Sequence, residues 1–222
     1  MNGMINVRQT LAVQDRWNLK ITKVEQGEVA DFKPKGSAYV MMRNAGFKNK
    51  NINLHRANAC VNIWDDFSID CSLGPSSACV VEYPGLCPQE ARVYIQNNLD
   101  IGNLSYIDGG SNTTAINPGR LGDPVVNYVH FPAHMYQTLH THPSHRIGFI
   151  LKGNGRVELD NNQFHHINEG DIFYMRRNTL HNFICDDEDV ILFVFAPDSG
   201  TGPTDEVNPL KIRTYIGQQR HV

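Results

Sequence analysis

Eight of the ten histidines (His130, His134, His140, His142, His145, His165, His166 and His181) fall in one stretch of about fifty residues. Imidazole is neutral, metal-ligating and titratable near neutral pH, so this crowding points to metal or proton chemistry there. His140 and His142 lie two apart in a strand-like run. That spacing puts both on one face with alpha carbons roughly 6.5–7 Å apart, within reach of a single ion. Pro143 and Ser144 then turn the chain, and His181 follows a turn after another strand. Three such ligands leave positions open for substrate, water or dioxygen, and imidazole suits Fe, Zn, Cu and Ni alike.

Composition narrows what this chemistry can serve. The chain has 222 residues, 41% of them apolar and 19% charged, with a formal net charge of −3. It can bury a real core, as one large domain or two small ones. No run approaches the ~18 apolar residues of a membrane span, and the first residues lack the apolar segment of a signal peptide, so a cytoplasmic protein is expected. A weakly acidic balance without a Lys/Arg block gives no electrostatic reason to bind nucleic acid or an anionic membrane. The expected partner is a small molecule. Cys60, Cys71, Cys79, Cys87 and Cys185 are an odd set without a Cys-x-x-Cys pair, which predicts free thiols in a reducing compartment rather than disulfides or a thiolate zinc site.

The elements that must position the histidines read as strands. The first third holds short β-branched and aromatic runs at 19–24, 37–42, 59–64 and 78–81, with Gly, Pro and Asn clusters such as 44–53 between them. Residues 88–99 predict a helix, because Pro88 suits a first helical position and Ala91, Tyr94, Ile95 and Leu99 recur at helical spacing. Residues 109–124 read as a loop by composition. After it come runs at 125–131, 136–142, 147–151, 155–159, 163–167, 171–175, 182–185 and 190–195, a spacing that suggests a closed sandwich or barrel, with a jelly roll the natural choice. Strand parity makes Tyr136 and Thr138 face inward with His140 and His142. Tyr136 and Tyr174 are candidates for proton transfer or a hydrogen bond to substrate. The polar segment 198–209 is a candidate lid.

The quoted residues resemble the cupin superfamily, whose first motif is Gly-x5-His-x-His-x3 or 4-Glu-x6-Gly and whose second is Gly-x5-Pro-x-Gly-x2-His-x3-Asn. His140 and His142 match the first motif and Gly153 closes it; Gly170 opens the second, and His181 is its histidine. The resemblance covers residues 130–196. It implies an all-β, cupin-type double-stranded β-helix (jelly roll) over residues 116–222, preceded by a β-rich extension, 1–115, that contains the helix, with a degenerate cupin half as the alternative reading of that extension. It also implies a divalent metal on His140, His142 and His181, with Fe(II) first and Zn, Mn, Ni or Cu open, and a homodimer. The activity implied is a three-histidine dioxygenase. The alternatives are a non-redox isomerase or lyase, or a binding module without turnover.

The departures are informative. His134 and Asn178 stand at motif glycines, Arg176 at the proline and Cys185 at the asparagine. Asn tolerates a positive φ better than most residues. The glutamate position is Arg146, and a guanidinium ~6 Å from a divalent cation would be repelled by roughly 5 kcal/mol at an effective dielectric of 20. Arg146 must therefore turn away, or face an anion between itself and the metal, which would make it a substrate-binding residue for a small anionic molecule. His145 is an alternative fourth ligand.

Overall fold

The structure, a computed structural model, describes residues 3–86, 90–160 and 162–202, with the backbone of two further short strands, Tyr215–Ile216 and Gln219–Arg220. Among the described residues the fold is all-β apart from a single 3-10 turn, Ile107–Gly109. No helix is long and apolar enough to cross a membrane.

A seven-stranded sheet is the central wall. It runs in the order Met4–Asn6, Ile172–Met175, Arg146–Lys152, Val190–Ala196, Val125–Phe131, Ser111–Ile116 and Leu104–Ser105. Its inner face packs on a three-stranded sheet, Phe164–Ile167, Gly155–Leu159 and His181–Cys185, around Val129, Ile150, Phe173, Leu192, Val157 and Phe183. These two sheets are the walls of the jelly-roll barrel. The outer face of the central wall contributes Tyr128, Phe149, Phe193 and Phe195 to a second core, shared with Leu19, Ile21, Tyr39, Met41 and Val81 of the N-terminal sheet. Sequences such as Val-Ile-Leu-Phe-Val-Phe-Ala (190–196) are apolar without alternation because both faces of the wall are buried. Each large side chain so buried stabilises the fold by about 1.5–3 kcal/mol.

The N-terminal sheet pairs Thr10–Val13, Leu19–Val24, Ser77–Pro84, Gly36–Lys48, Asn53–Ile63 and Arg92–Ile95 in that order. It curls around its own core of Val40, Met42, Phe47, Val61, Phe67 and Ile69. The long strand Gly36–Lys48 bends there, with register shifts at Met42/Ala45 and Ala45/Phe47 and with Asn44 at φ 50°. The two halves interleave: Met4–Asn6 pairs with Ile172–Met175, and Ser111–Ile116 with Val125–Phe131.

Two expectations are corrected. The helix expected over 88–99 is not there among the described residues (Pro88 and Gln89 lie outside them); Arg92–Ile95 is an edge strand, with Ala59 opposite Ile95 and Val61 opposite Val93. Arg-Val-Tyr-Ile alternates in exposure with period two, turning Tyr94 onto the core shared by the two halves, so pairing with a ready sheet edge outweighs the helical spacing. The expected loop at 109–124 begins with the strand Ser111–Ile116. The candidate lid is described only to residue 202; its remainder, 203–209, lies outside the described residues.

All four positions where the cupin motifs carry or would carry glycine have positive φ: His134 62°, Gly153 84°, Gly170 84° and Asn178 59°. The backbone makes a left-handed turn at each, and His134 and Asn178 occupy it as non-glycine residues. At Gly153 a Cβ would also lie 2.0 Å from the carbonyl oxygen of Asp189. Gly153→Ala is therefore expected to cost at least roughly 1–3 kcal/mol, from the backbone conformation alone, whereas Asn178→Gly should be near neutral and Asn178→Val costly. Urea unfolding of the three variants checks this order.

Candidate metal centre

The segment 136–142, expected as a regular strand, forms no continuous ladder with the three-stranded sheet and pairs with it at two isolated bridges, Tyr136 to Ile184 and His140 to His181. Four residues on one side span three on the other, so one extra residue intervenes, as in a β-bulge, and side-chain parity flips. Gln137 turns inward and is buried, and Tyr136 turns outward, 62% exposed, its hydroxyl donating to Glu158 at 2.6 Å. Thr138 is exposed too, with its amide and hydroxyl bonded to Asp108. The inward placement expected for Tyr136 and Thr138 is thus corrected by the extra residue.

After the flip, His140 and His181 exchange backbone hydrogen bonds, each N–H donating to the other's carbonyl at 3.0 Å. Directly opposed residues of an antiparallel pair project to the same face. His142, two residues on, joins them. One ring nitrogen of each of His140, His142 and His181 lies within 4.8 Å of the other two, and the ring centroids are 4.5–5.2 Å apart. The His140 Nδ1–H donates to the Thr138 carbonyl and the His181 Nδ1–H to the Thr179 carbonyl, both at 2.8 Å. These bonds fix the tautomer and leave Nε2 as a lone-pair donor.

Electrostatics keeps the cluster ready to ligate. Burial first, then the Arg146 charge and the other two imidazoles, holds His142 down to about 3. Burial also dominates at His181, partly offset by the Thr179 carbonyl, and with His140 and Arg146 brings it to about 4. Both are neutral at neutral pH, and three imidazoles on one face fit a divalent metal with open positions. No carboxylate belongs to the cluster among the described residues.

The three histidines share an interior cavity of about 110 Å³ with Arg146, Tyr106, Asn112, Asn127 and Gln137, and with the apolar side chains Val129, Phe131, Phe173, Phe183 and Leu192. Gly148 leaves space for the Phe173 ring, which a Cβ would meet at 2.0 Å. Arg146 opens its strand opposite Met175. Its Nη1 donates to the Ser144 hydroxyl at 2.8 Å, the His145 carbonyl at 2.9 Å and the Ser144 carbonyl at 3.3 Å. Among the described residues no carboxylate forms an ion pair with it. Burial, the largest influence, lowers its pKa, while electrostatic interaction with Asp198 and then Tyr106 acts the other way.

Two other candidates lie elsewhere. Tyr174 is on the outer face of Ile172–Met175, with its hydroxyl 3.1 Å from His145 Nδ1, while Phe173 and Met175 line the cavity. A strand buried on both faces gives no sequence sign of which face is the interior. His145, 5% exposed, is not a fourth ligand: its Nε2 meets the Asp15 carboxylate, and its Nδ1 accepts the Arg177 amide at 3.0 Å. It clasps the loop between His142 and Arg146 to the N-terminal segment. Sequence reasoning missed Tyr106, Asn112, Asn127 and Gln137. Asn127 had a signal, a lone polar residue in phase with Val125, Val129 and Phe131.

Residues 127–196 match the cupin domain family. A comparison with curated proteins finds no match. Among solved structures the chain is similar to a cupin 2 conserved barrel domain protein from Leptotrichia buccalis, at 12% identity over 88% of this chain and 89% of that one, TM-score 0.58. It is also similar to a protein of unknown function from Pseudomonas syringae pv. tomato, at 12% identity over 85% and 86%, TM-score 0.61. A third is salicylate 1,2-dioxygenase from Pseudoaminobacter salicylatoxidans, solved as adducts with gentisate, at 10% identity over 81% and 67%, TM-score 0.55. The chain has the cupin fold, and its residues 127–196 match a cupin domain.

A pH dependence follows. Unfolding returns His142 and His181 to an ordinary value near 6.5, so below that pH the unfolded chain binds protons the folded chain does not. The metal-free protein should hold its full stability above pH 6.5 and lose it as pH falls toward about 4 and then 3. Asp15 adds to this at lower pH: burial alone would raise its carboxyl, but bonds from His145 and the Trp17 amide outweigh burial and hold it below 3.8. Urea midpoints measured stepwise from pH 7.5 to 4 should fall, and a flat profile would contradict the neutral buried cluster.

Proposed function

We propose that the protein is a metal-dependent enzyme, an Fe(II) dioxygenase acting on a small organic anion. One observation carries this reading: a guanidinium that forms no ion pair with a carboxylate among the described residues lines the same cavity as three imidazoles. The gentisate adducts of salicylate 1,2-dioxygenase support the choice of an organic acid. A bound iron supplies a Lewis-acidic, redox-active centre where substrate and dioxygen meet, and both oxygen atoms enter the product without an external reductant.

The chain's own residues do the rest. His140, His142 and His181 hold the ion with neutral donors, so a positive charge on the metal stands uncompensated until an anion arrives. Arg146 adds a second positive charge, and its Nε and Nη2 are left to grip a carboxylate while Nη1 is anchored on Ser144 and His145. Phe131, Phe173, Phe183 and Leu192 exclude water and strengthen those charge contacts. We take the protein to act in the cytoplasm as a homodimer; buried free Cys60, Cys71, Cys79 and Cys185 suit a reducing compartment. The N-terminal sheet is read as a degenerate cupin half, without a histidine cluster of its own.

Iron-loaded protein should take up oxygen with some members of a panel of small acids, and no uptake with any acid that binds would favour non-redox chemistry on the same site. Alanine at His140, His142 or His181 should sharply lower metal content. Arg146→Ala should keep the metal and weaken acid binding by roughly 2–5 kcal/mol, the cost of truncating one partner of a desolvated charge pair. Arg146→Glu should bind metal more tightly and lose the acid. Separate titrations of metal and acid into each variant decide this, and equal acid affinity for wild type and Arg146→Ala would overturn the substrate role.

A further inference from the structure

The cavity has a polar mouth and an apolar floor. His140, His142 and Arg146 are partly exposed, whereas Phe131, Phe173, Phe183 and Leu192 are buried. His181, 1% exposed and 6.0 Å from the Phe183 ring, joins the two zones. Gln137 is a buried polar exception, and its carboxamide oxygen already accepts the Phe183 amide at 3.2 Å. The floor is rigid because its rings are locked together. Phe183 packs on Phe131 with centroids 5.1 Å apart and on Phe173 at 5.8 Å. Phe173 stands directly opposite Gly148 in the strand ladder, and the tip of its ring lies down on that glycine, where a Cβ would meet Cζ at 2.0 Å and Cε1 at 2.2 Å. Interiors are close-packed, so rings held on several sides do not make room for a larger guest without displacing their neighbours.

Resting on the reading of the site as an anion trap, we propose that its substrate is a short aliphatic monocarboxylate of at most about four carbons, with the Phe173 ring setting the limit. An acid that puts its carboxylate on Arg146 at the mouth sends its carbon body toward the phenylalanine floor, where burial of apolar surface favours it. A second carboxylate at the far end would be buried among aromatic rings without a charged partner, so the acid carries a single charge. The size limit follows from volume. An apolar cavity of about 150 Å³ takes one benzene ring. This cavity measures about 110 Å³, and a bound metal takes part of it. A benzoate ring therefore does not fit unless Phe173 is displaced, and a long chain fails for the same reason. Gly148 keeps the little space there is, because any side chain at that position would lift the Phe173 ring off the strand.

The test uses Zn(II)-loaded protein, which binds without oxidising, and calorimetric titration with acetate, propanoate, butanoate, hexanoate, benzoate and gentisate. In the wild type, affinity should rise about fourfold per methylene from acetate to butanoate, as each step buries another apolar group. It should then fall about tenfold or more at hexanoate, benzoate and gentisate, which overpack the floor. Phe173→Ala should cancel most of the deficit of benzoate relative to butanoate while acetate binds nearly as before. If that variant does not fold, Phe173→Leu reads the same comparison with a smaller change. Benzoate or gentisate bound by the wild type as tightly as butanoate, or a benzoate deficit that survives unchanged in the Phe173 variant, overturns this proposal and leaves the anion reading standing. If no acid binds the wild type, the anion reading fails and takes this proposal with it.

Discussion

The site depends on one backbone contact, the reciprocal pair of hydrogen bonds between His140 and His181. Those bonds join an otherwise irregular segment to the three-stranded sheet, and they make two residues forty-one positions apart face the same way. Everything else at the centre follows from that register. His142 comes into place by strand alternation, the Thr138 and Thr179 carbonyls orient two of the rings, and the central wall supplies a dry surface opposite. The extra residue between the Tyr136 and His140 bridges is part of the same device, since without it His140 would point outward.

Charge is the second constraint. A cupin-type centre with a glutamate would offset part of the metal's charge from within the protein, and this one has a buried arginine in that position. Three neutral ligands and a guanidinium create a cavity that is strongly positive once a metal binds, and burial makes that charge costly to leave uncompensated. The most economical remedy is an anionic ligand. The same positive environment helps hold His142 and His181 in the neutral, ligating form, so the arginine helps prepare the ligands.

The parts of this arrangement that were legible in the sequence are those fixed by local chemistry. The histidine spacing marked the cluster, and the turn positions were visible because a left-handed backbone restricts residue choice, down to the asparagine at 178 with φ 59°. Most strands of the barrel could be located within a residue or two. What was not legible depended on distant partners. Arg92–Ile95 becomes a strand because Asn53–Ile63 offers it an edge, and nothing within the segment announces that. The parity flip between Gln137 and His140 is a one-residue event that leaves no periodic trace. Tyr174 could not be assigned to a face because its strand is buried on both, and Asn112 lay in a Ser/Thr/Asn-rich stretch that composition assigns to a loop.

The most direct test of the central claim is X-ray absorption at the edge of the metal retained by protein purified without chelators. The account predicts about one divalent ion per chain with three imidazole nitrogens near ~2.0–2.1 Å, and a change in the remaining coordination when a bound organic acid is added. A site with thiolate or several carboxylate ligands, or metal content that is unaffected by loss of His181, would contradict it.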